Sequence, residues 1–594
     1  MIRFVRRYAL VLTVVYLAGV AHFASADEPY TVTVKTGVEA KMRDGTILRA
    51  DIYRPTAEGK FPVLLERTPY DKRNSVHFAL KAGARGYVVI VQDVRGRYSS
   101  DGEWYPFKNE SNDGYDTVEW AAALPYSNGK IGMVGGSYVG ATQMLTAIAH
   151  PPHLAGICPV VTASNYHDGW TYQGGAFEQW FNESWTSGLA QDTLNRSVEK
   201  STNALNGIWK LPLTSYPLFE LPENSNSDLK RSLAPYFLDW LAHPNYDEFW
   251  KQWSIEEHFT EINVPMLTIA AWYDIFLGGS LRNYIGVKTN GANETARRGQ
   301  RLIVMIGGHA GSGRKIGDVD FGPAAESDED DATLSWYDYL FKNAANQFAT
   351  AKPVKLFVMG ANQWRSEDDW PLTRGRETRY FLHSAGKANA LSGDGALSSV
   401  APRSEPPDHY VYDPSNPAQT IGGPLCCDAK DLKPGPRDQR PVEARSDVLV
   451  YSTPALAQDL EVTGPIRLEL FASSSAVDTD FLGKLVDVWP DGFAQNLTEG
   501  IIRARYRDSQ EKPTLLNPGQ TYKFTLDLWA TSNVFRKGHR LRLEISSSNF
   551  PRFDRNLNTG EESASAQKFV SASNAIFHDA EHPSSLILPV IPAQ

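Results

Sequence analysis

Cysteine is scarce in this chain, which has only three among 594 residues. Three cysteines do not supply a disulfide framework, and no Cys/His cluster has the spacing of a zinc finger, so the sequence predicts no metal site. Cys158 lies in an apolar context that is typical of a buried thiol. Cys426 and Cys427 are adjacent, so they either form a vicinal ring or remain free.

An excess of positive charge is also missing. The net charge is -10 and the isoelectric point is near 5.8. The chain therefore lacks the basic surface that would indicate a nucleic-acid or anionic-lipid partner. The sequence gives no indication of the oligomeric state.

No apolar run is long enough for a permanent membrane anchor. Arg3, Arg6 and Arg7 precede a mostly apolar stretch, Tyr8 to Phe23, which is shorter than the roughly 20 residues of a membrane span. The small residues Ala-Ser-Ala follow it. Residues 1–26 therefore predict a secretory signal peptide that is removed, and a mature protein that is periplasmic or secreted.

The hydropathy pattern and composition of the rest of the chain change three times. Short apolar runs such as Gly86 to Gln92 alternate with helical stretches, which is typical of an α/β fold with buried parallel strands. A Trp- and Asn-rich helical insertion interrupts this pattern, and alternating strands with period two dominate the last part. We predict an α/β-hydrolase core with an inserted helical cap and an all-β jelly-roll domain. The predicted boundaries are 27–163 and 261–345 for the core, 164–260 for the cap, and 346–594 for the jelly roll.

The motif Gly135-Gly136-Ser137-Tyr138-Val139-Gly140 follows a predicted strand and precedes a predicted helix. A serine at such a turn is forced into a tight backbone conformation that presents its hydroxyl above the sheet. The helix N-terminus also favours a developing oxyanion. The usual motif is G-x-S-x-G, whereas here the last glycine comes one position late. The motif predicts that Ser137 is a nucleophile, although a Gly-rich turn with an incidental serine would look the same.

A serine hydroxyl needs a base, and in this fold the acid and the histidine follow the serine in that order, each after a core strand. Asp274 follows an apolar run that ends at Ala271, and His309 follows the run from Leu302 to Ile306. We therefore expect Asp274 to orient His309 as the base. Tyr70 follows another core strand, where its hydroxyl and the Tyr138 N–H would form an oxyanion hole; alternatively, Tyr70 supports a loop.

Several stretches resemble the cocaine esterase and X-prolyl dipeptidyl-peptidase (S15) family. They are Met42-Arg43-Asp44-Gly45-Thr46, Arg67-Thr68-Pro69-Tyr70, Gln92-Asp93-Val94-Arg95-Gly96-Arg97, Gly135 to Gly140 and Trp272-Tyr273-Asp274. The resemblance includes the late glycine and extends less specifically into the C-terminal region. It implies a Ser137, Asp274 and His309 triad, an oxyanion hole of Tyr70 and Tyr138, and a reaction that needs no cofactor.

The family contains esterases, acylases, amino-acid ester hydrolases and X-prolyl peptidases. The amino-acid ester hydrolases carry acidic residues two and three positions after the triad aspartate, where this chain has Phe276 and Leu277. Phe276 suits an apolar or aromatic acyl group, and Trp170, Tyr172 and Phe177 are further candidates for the substrate pocket or for cap packing. The leading hypothesis is hydrolysis of small carboxylic esters. The alternatives are an X-prolyl peptidase, a β-lactam-type acylase, or a non-catalytic binding protein.

Acidic residues are concentrated at Asp328 to Asp331. Such a run at a helix start is explained by the helix dipole and by solvation more simply than by calcium binding.

Overall fold

The computed structural model describes residues 29–197, 207–216, 233–309, 311–427, 430 and 432–592. The predicted signal peptide, residues 1–26, lies outside the described residues. Among those that are described, no helix has both the length and the apolar character needed to cross a membrane.

The strands and helices are numbered in chain order. The strands are β1 Val32–Lys41, β2 Ile47–Pro55, β3 Phe61–Thr68, β4 Val88–Asp93, β5 Ser127–Gly136, β6 Leu154–Val160, β7 Tyr172–Gln173, β8 Ala176–Phe177, β9 Leu267–Tyr273, β10 Arg301–Gly308, β11 Gly311–Ser312, β12 Lys315–Ile316, β13 Val319–Asp320, β14 Val354–Val358, β15 Gln363–Glu367, β16 Arg376–His383, β17 Ala396–Ser398, β18 Asp408–Tyr412, β19 Leu449–Ser452, β20 Leu460–Ser474, β21 Asp480–Val488, β22 Ala494–Arg503, β23 Tyr522–Phe535, β24 Arg540–Ser546, β25 Ala572–Phe577 and β26 Ser585–Ile591. The helices are α1 Val76–Ala84, α2 Glu110–Ala122, α3 Tyr138–Ile148, α4 Gln179–Ser197, α5 Pro235–Ala242, α6 Glu248–Lys251, α7 Leu277–Asn290, α8 Glu294–Arg298, α9 Glu329–Lys342, α10 Gln347–Thr350 and α11 Arg440–Glu443.

The core is a twisted sheet whose central strands are parallel. Their order is β1-β2-β4-β3-β5-β6-β9-β10-β14-β15, and all neighbours from β4 to β14 run parallel. Every residue of β4 and β9 is buried, because helices or the C-terminal domain cover both faces of the sheet. This architecture confirms the predicted α/β core.

The helical cap lies between β6 and β9 in the chain. Its described helices are α4, α5 and α6, and the hairpin of β7 and β8 precedes them. The aromatic side chains that make this segment unusual in composition pack together; Trp240 and Trp250, for example, are completely buried. The sequence from Leu229 to Leu241 also predicts a cap helix. Residues 229–232 lie outside the described residues, and α5 covers the prediction from Pro235 onward.

The C-terminal region is all β, as predicted from its alternating pattern. Strands β16 to β26 form one largely antiparallel sheet system, in which β20 pairs with β23, β25 and β26. The predicted domain also contains β14 and β15, but the structure places both on the edge of the core sheet. There Leu302 of β10 lies opposite Val354 of β14, so the core sheet continues beyond residue 345.

The C-terminal domain packs against both the core and the cap. Gln495 donates a hydrogen bond of 3.0 Å to the Tyr273 hydroxyl at the end of β9. Arg552 is fully buried and forms ion pairs with Glu178 at the start of the cap and with Glu499 of β22. These contacts hold β22 and the segment around Arg552 against the core and the cap.

Candidate active site

Ser137 occupies the sharp turn between β5 and α3. Its backbone has φ 60° and ψ −127°, a region that residues other than glycine rarely adopt and that costs about 1–3 kcal/mol. The neighbouring strand holds this conformation, since the Ser137 N–H donates to the Val160 carbonyl at 2.9 Å and the Thr162 hydroxyl donates to the Ser137 carbonyl at 2.7 Å. The serine side chain is therefore fixed at the carboxyl edge of the sheet.

Close packing explains the glycines around this turn. A Cβ atom at Gly135 would lie 2.3 Å from Val139 Cγ1, and one at Gly140 would lie 2.7 Å from Thr162 Cβ. The second contact is with the segment after β6, against which the first turn of α3 packs. The late glycine is thus required where the helix meets the next strand.

Asp274 and His309 follow β9 and β10, whose carboxyl ends lie on the same edge of the sheet as Ser137. His309 Nε2 lies 2.8 Å from Ser137 Oγ, and His309 Nδ1 lies 2.6 Å from Asp274 Oδ1. Asp274 is completely buried, and its other oxygen accepts a hydrogen bond of 2.9 Å from the Phe276 N–H. The three predicted triad members therefore form one continuous hydrogen-bonded chain.

Tyr70 lies beside Ser137, just after β3. Its hydroxyl accepts a hydrogen bond of 3.0 Å from Trp185 Nε1 of α4. Burial raises the pKa of Tyr70, while hydrogen bonds with Trp185, Ser137 and the Tyr138 backbone oppose the rise. The phenol therefore stays protonated at neutral pH and can donate a hydrogen bond beside the Tyr138 N–H.

A buried network behind the turn fixes Tyr138. Its hydroxyl donates to Glu110 Oε1 at 2.9 Å and accepts from the Phe107 N–H at 2.8 Å. Glu110 in turn forms an ion pair of 2.9 Å with Arg67, whose side chain is fully buried. Sequence reasoning missed Glu110, because a glutamate at the start of a helix has no local feature that distinguishes it from a solvated one.

A cavity of about 690 Å³ opens above Ser137 and His309. The core supplies one wall, and the cap, the C-terminal domain and the start of α9 supply the others. The described lining residues are Tyr70, Tyr98, Gly136, Ser137, Val160, Val161, Ser184, Trp185, Gly188, Leu189, His309, Gly311, Glu329, Leu425, Cys426, Cys427, Leu432 and Pro434.

The residues that the sequence predicted to bind substrate lie outside the cavity wall. Phe276, Trp170, Tyr172 and Phe177 are all at least 96% buried and do not line this cavity. Phe276 stacks on Trp170 at 4.6 Å between ring centroids and packs edge-on against the His309 ring at 5.1 Å. These aromatic residues therefore form a packed layer that supports the histidine, and Tyr172 and Phe177 belong to the cap interior.

The cavity wall contains residues that the sequence did not single out for binding. Trp185 comes from the middle of α4, and Glu329 is the first residue of α9. Cys426 and Cys427 are joined by a disulfide, which resolves the two alternatives left open for this pair. Trp185, Glu329 and the two cysteines come from distant parts of the chain, and no local motif predicts that these parts meet in one cavity wall.

The fold and this site define a serine hydrolase of the α/β-hydrolase type. Residues 44–311 match the X-Pro dipeptidyl-peptidase (S15 family) domain, and residues 346–587 match the X-Pro dipeptidyl-peptidase C-terminal non-catalytic domain. The chain is 38% identical to the cocaine esterase of Rhodococcus sp. (strain MB1 Bresler) over 94% of this chain and 99% of the relative. The chain therefore belongs to the S15 family, as its motifs predicted.

Solved structures share the complete architecture. An aminopeptidase from a marine sediment Thaumarchaeota archaeon superposes with a TM-score of 0.81 at 25% identity, covering 95% of this chain and 97% of the other. An α-amino acid ester hydrolase has a TM-score of 0.79 at 24% identity, covering 96% and 98%. The second similarity shows the fold alone.

Proposed function

We propose that this protein is an exported esterase that hydrolyses small carboxylic esters through an acyl-enzyme intermediate on Ser137. The observation that carries this proposal is the hydrogen-bonded chain from Asp274 through His309 to Ser137, with distances of 2.6 Å and 2.8 Å. The similarity to a cocaine esterase over nearly the whole chain supports ester cleavage.

In the first half of the proposed reaction, His309 Nε2 takes the Ser137 proton as Oγ attacks the ester carbonyl. Asp274 accepts the hydrogen bond from Nδ1, which keeps the correct tautomer and stabilises the imidazolium that forms. The carbonyl oxygen becomes an oxyanion, to which the Tyr70 hydroxyl and the Tyr138 N–H donate. Because these donors are fixed before the reaction, they stabilise the charge as it develops.

In the second half, the imidazolium of His309 gives its proton to the leaving alcohol, and the acyl group remains on Ser137. A water molecule then enters, loses a proton to His309 and attacks the acyl carbon. Collapse of the second tetrahedral intermediate releases the acid and returns the proton to Ser137.

Peptide or amide cleavage on the same scaffold is the second candidate, because both family matches are to X-Pro dipeptidyl-peptidase domains. Leu425, Val161 and Leu189 give the cavity a largely apolar wall, which favours a neutral acyl group over a polar peptide. We therefore place ester hydrolysis first.

The test is a panel of 4-nitrophenyl acetate, butyrate and benzoate together with alanyl-proline 4-nitroanilide. We expect hydrolysis of the esters with a kcat/KM at least a hundredfold above that of the anilide. Faster cleavage of the anilide would assign the protein to the peptidases. A folded protein that cleaves none of the four substrates would favour the alternative of a non-catalytic binding protein.

Export is supported by the charge and hydropathy pattern of residues 1–26. The complete chain, expressed in a Gram-negative host, should yield a mature protein that begins at Asp27 and fractionates with the periplasm or the medium. Intact protein with its original N-terminus in the cytoplasmic fraction would contradict export.

A further inference from the structure

Glu329 is the one carboxylate among the described residues that line the cavity above Ser137, and no lysine or arginine lines it there. His309 is the other titratable group apart from tyrosine and the bonded cysteines. Most of the remaining wall is apolar or aromatic, so the charge of Glu329 is unbalanced inside the space that a substrate would occupy.

The neighbouring acidic residues have partners. Asp328 and Asp331 form ion pairs with Lys81 at 2.9 Å and 3.1 Å, and Asp330 lies 3.7 Å from His77. Glu329 has neither a hydrogen bond nor an ion pair within the described part of the chain. Its carboxyl group therefore differs from the rest of this acidic run.

The start of α9 does not need Glu329 as a cap. The Asp328 side chain already accepts a hydrogen bond of 2.9 Å from the Asp331 N–H. A carboxylate that served only the helix dipole would be as effective in solvent. Glu329 is instead half-buried, and burial raises its pKa to about 7, an effect that the charge of His309 opposes. A bound cation would favour the ionised form in the same way.

Glu329 shares the cavity with His309, and this bears on the part of the substrate that can reach the carboxyl group. His309 delivers its proton to the leaving alcohol, whereas Tyr70 and Tyr138 lie on the oxyanion side. Since Glu329 and His309 line one cavity, the alcohol part of an ester, which receives the proton of His309, lies in the same space as Glu329.

We propose that Glu329 is a specificity-determining residue that pairs with a cationic amine on the alcohol part of the substrate. This inference rests on the proposed esterase function. Phe276 and Leu277 are buried and do not line the cavity, so they do not conflict with a cation on the leaving group.

The test compares butyrylcholine with its neutral carbon isostere, 3,3-dimethylbutyl butyrate, in a pH-stat assay. We expect wild-type protein to prefer the choline ester at least tenfold in kcat/KM. Glu329→Gln should remove most of this preference through KM and change kcat/KM for the neutral ester less than threefold. Glu329→Asp should keep part of the preference because it keeps the charge.

Asp331→Asn is the matched control, since it removes a neighbouring charge that does not line the cavity; it should retain the wild-type preference. Equal loss of activity on both esters in Glu329→Gln would mean that Glu329 acts through His309, and it would overturn the inference. A wild-type protein that cleaves both esters equally well would also overturn it. If the wild type cleaves neither these esters nor the 4-nitrophenyl panel, the proposed function itself fails.

Discussion

The turn that carries Ser137 and the wall that faces it across the cavity are built in different ways. Ser137, Asp274 and His309 stand at the carboxyl ends of strands in one sheet, so the topology alone brings them to one edge. The facing wall combines Trp185 of the cap with Cys426 of the C-terminal domain. The chemistry thus depends on local turns of the core, and the shape of the cavity depends on how separate domains pack.

The largest expected effect is on the core side of this comparison. Ser137→Ala should lower kcat for 4-nitrophenyl butyrate by at least about 10⁴-fold, because the covalent step is lost. Ser184→Ala is the matched control, since Ser184 lines the same cavity and donates to the Phe181 carbonyl. It should retain activity within about threefold. Comparable losses in the two variants would show that the assignment of Ser137 is wrong.

The buried aromatic layer should affect stability instead of selectivity. Phe177 is 99% buried and packs against Tyr172 and Phe237. Phe177→Ala should lower the free energy of unfolding by about 3–5 kcal/mol in urea titrations. The ratio of KM values for 4-nitrophenyl acetate and benzoate should remain unchanged. A changed ratio with unchanged stability would instead place Phe177 in the substrate pocket.

The oxyanion hole lies where the two regions meet, because Trp185 of the cap donates to the Tyr70 hydroxyl. Tyr70→Phe should reduce kcat by about 10²–10³-fold, equivalent to about 3–4 kcal/mol, with little change in KM. Tyr98→Phe removes another hydroxyl from the same cavity and should have little effect. A Tyr70→Phe enzyme with normal kcat would exclude the hydroxyl from transition-state stabilisation.

A buried carboxyl behind the turn should make stability depend on pH. Burial raises the pKa of Glu66 from an ordinary value of 4.5 to about 7, although a hydrogen bond from Ser75 opposes the rise. The folded chain therefore holds a proton that the unfolded chain releases, so stability falls as pH rises from about 4.5 to about 7. Glu66→Gln should remove up to about 3 kcal/mol of this decline in unfolding titrations at pH 5 and 8. An unchanged slope would contradict a proton held at Glu66.

The smallest effect is expected at the disulfide in the cavity wall. Cys426 is buried and Cys427 is exposed, so a phosphine can reduce the pair to two thiols. Reduction should raise KM for the benzoate ester a few-fold more than KM for the acetate ester, because only the larger acyl group would reach this wall. The double variant Cys426→Ser with Cys427→Ser should not respond to the phosphine. Equal KM values before and after reduction would show that the disulfide does not contribute to substrate binding.

The same division explains what the sequence could predict. The α/β core and the strand-end positions of Ser137, Asp274 and His309 follow from short-range patterns, because strand ends and tight turns leave clear signatures. Trp185, Glu329 and the disulfide carry no such signature. Their place in the wall depends on contacts between segments that are far apart in the chain. Phe276 illustrates the reverse case. Its position beside the triad aspartate in the sequence predicted a pocket residue, whereas the structure shows its ring packed between Trp170 and His309.

The central claim is that Ser137 is the activated nucleophile. The direct measurement is treatment of the folded mature protein with a fluorophosphonate, followed by intact mass and peptide mapping. The account predicts one adduct per chain on the peptide that contains Ser137, and no adduct in Ser137→Ala. A folded, unlabelled wild-type protein, or an adduct on another residue, would contradict it.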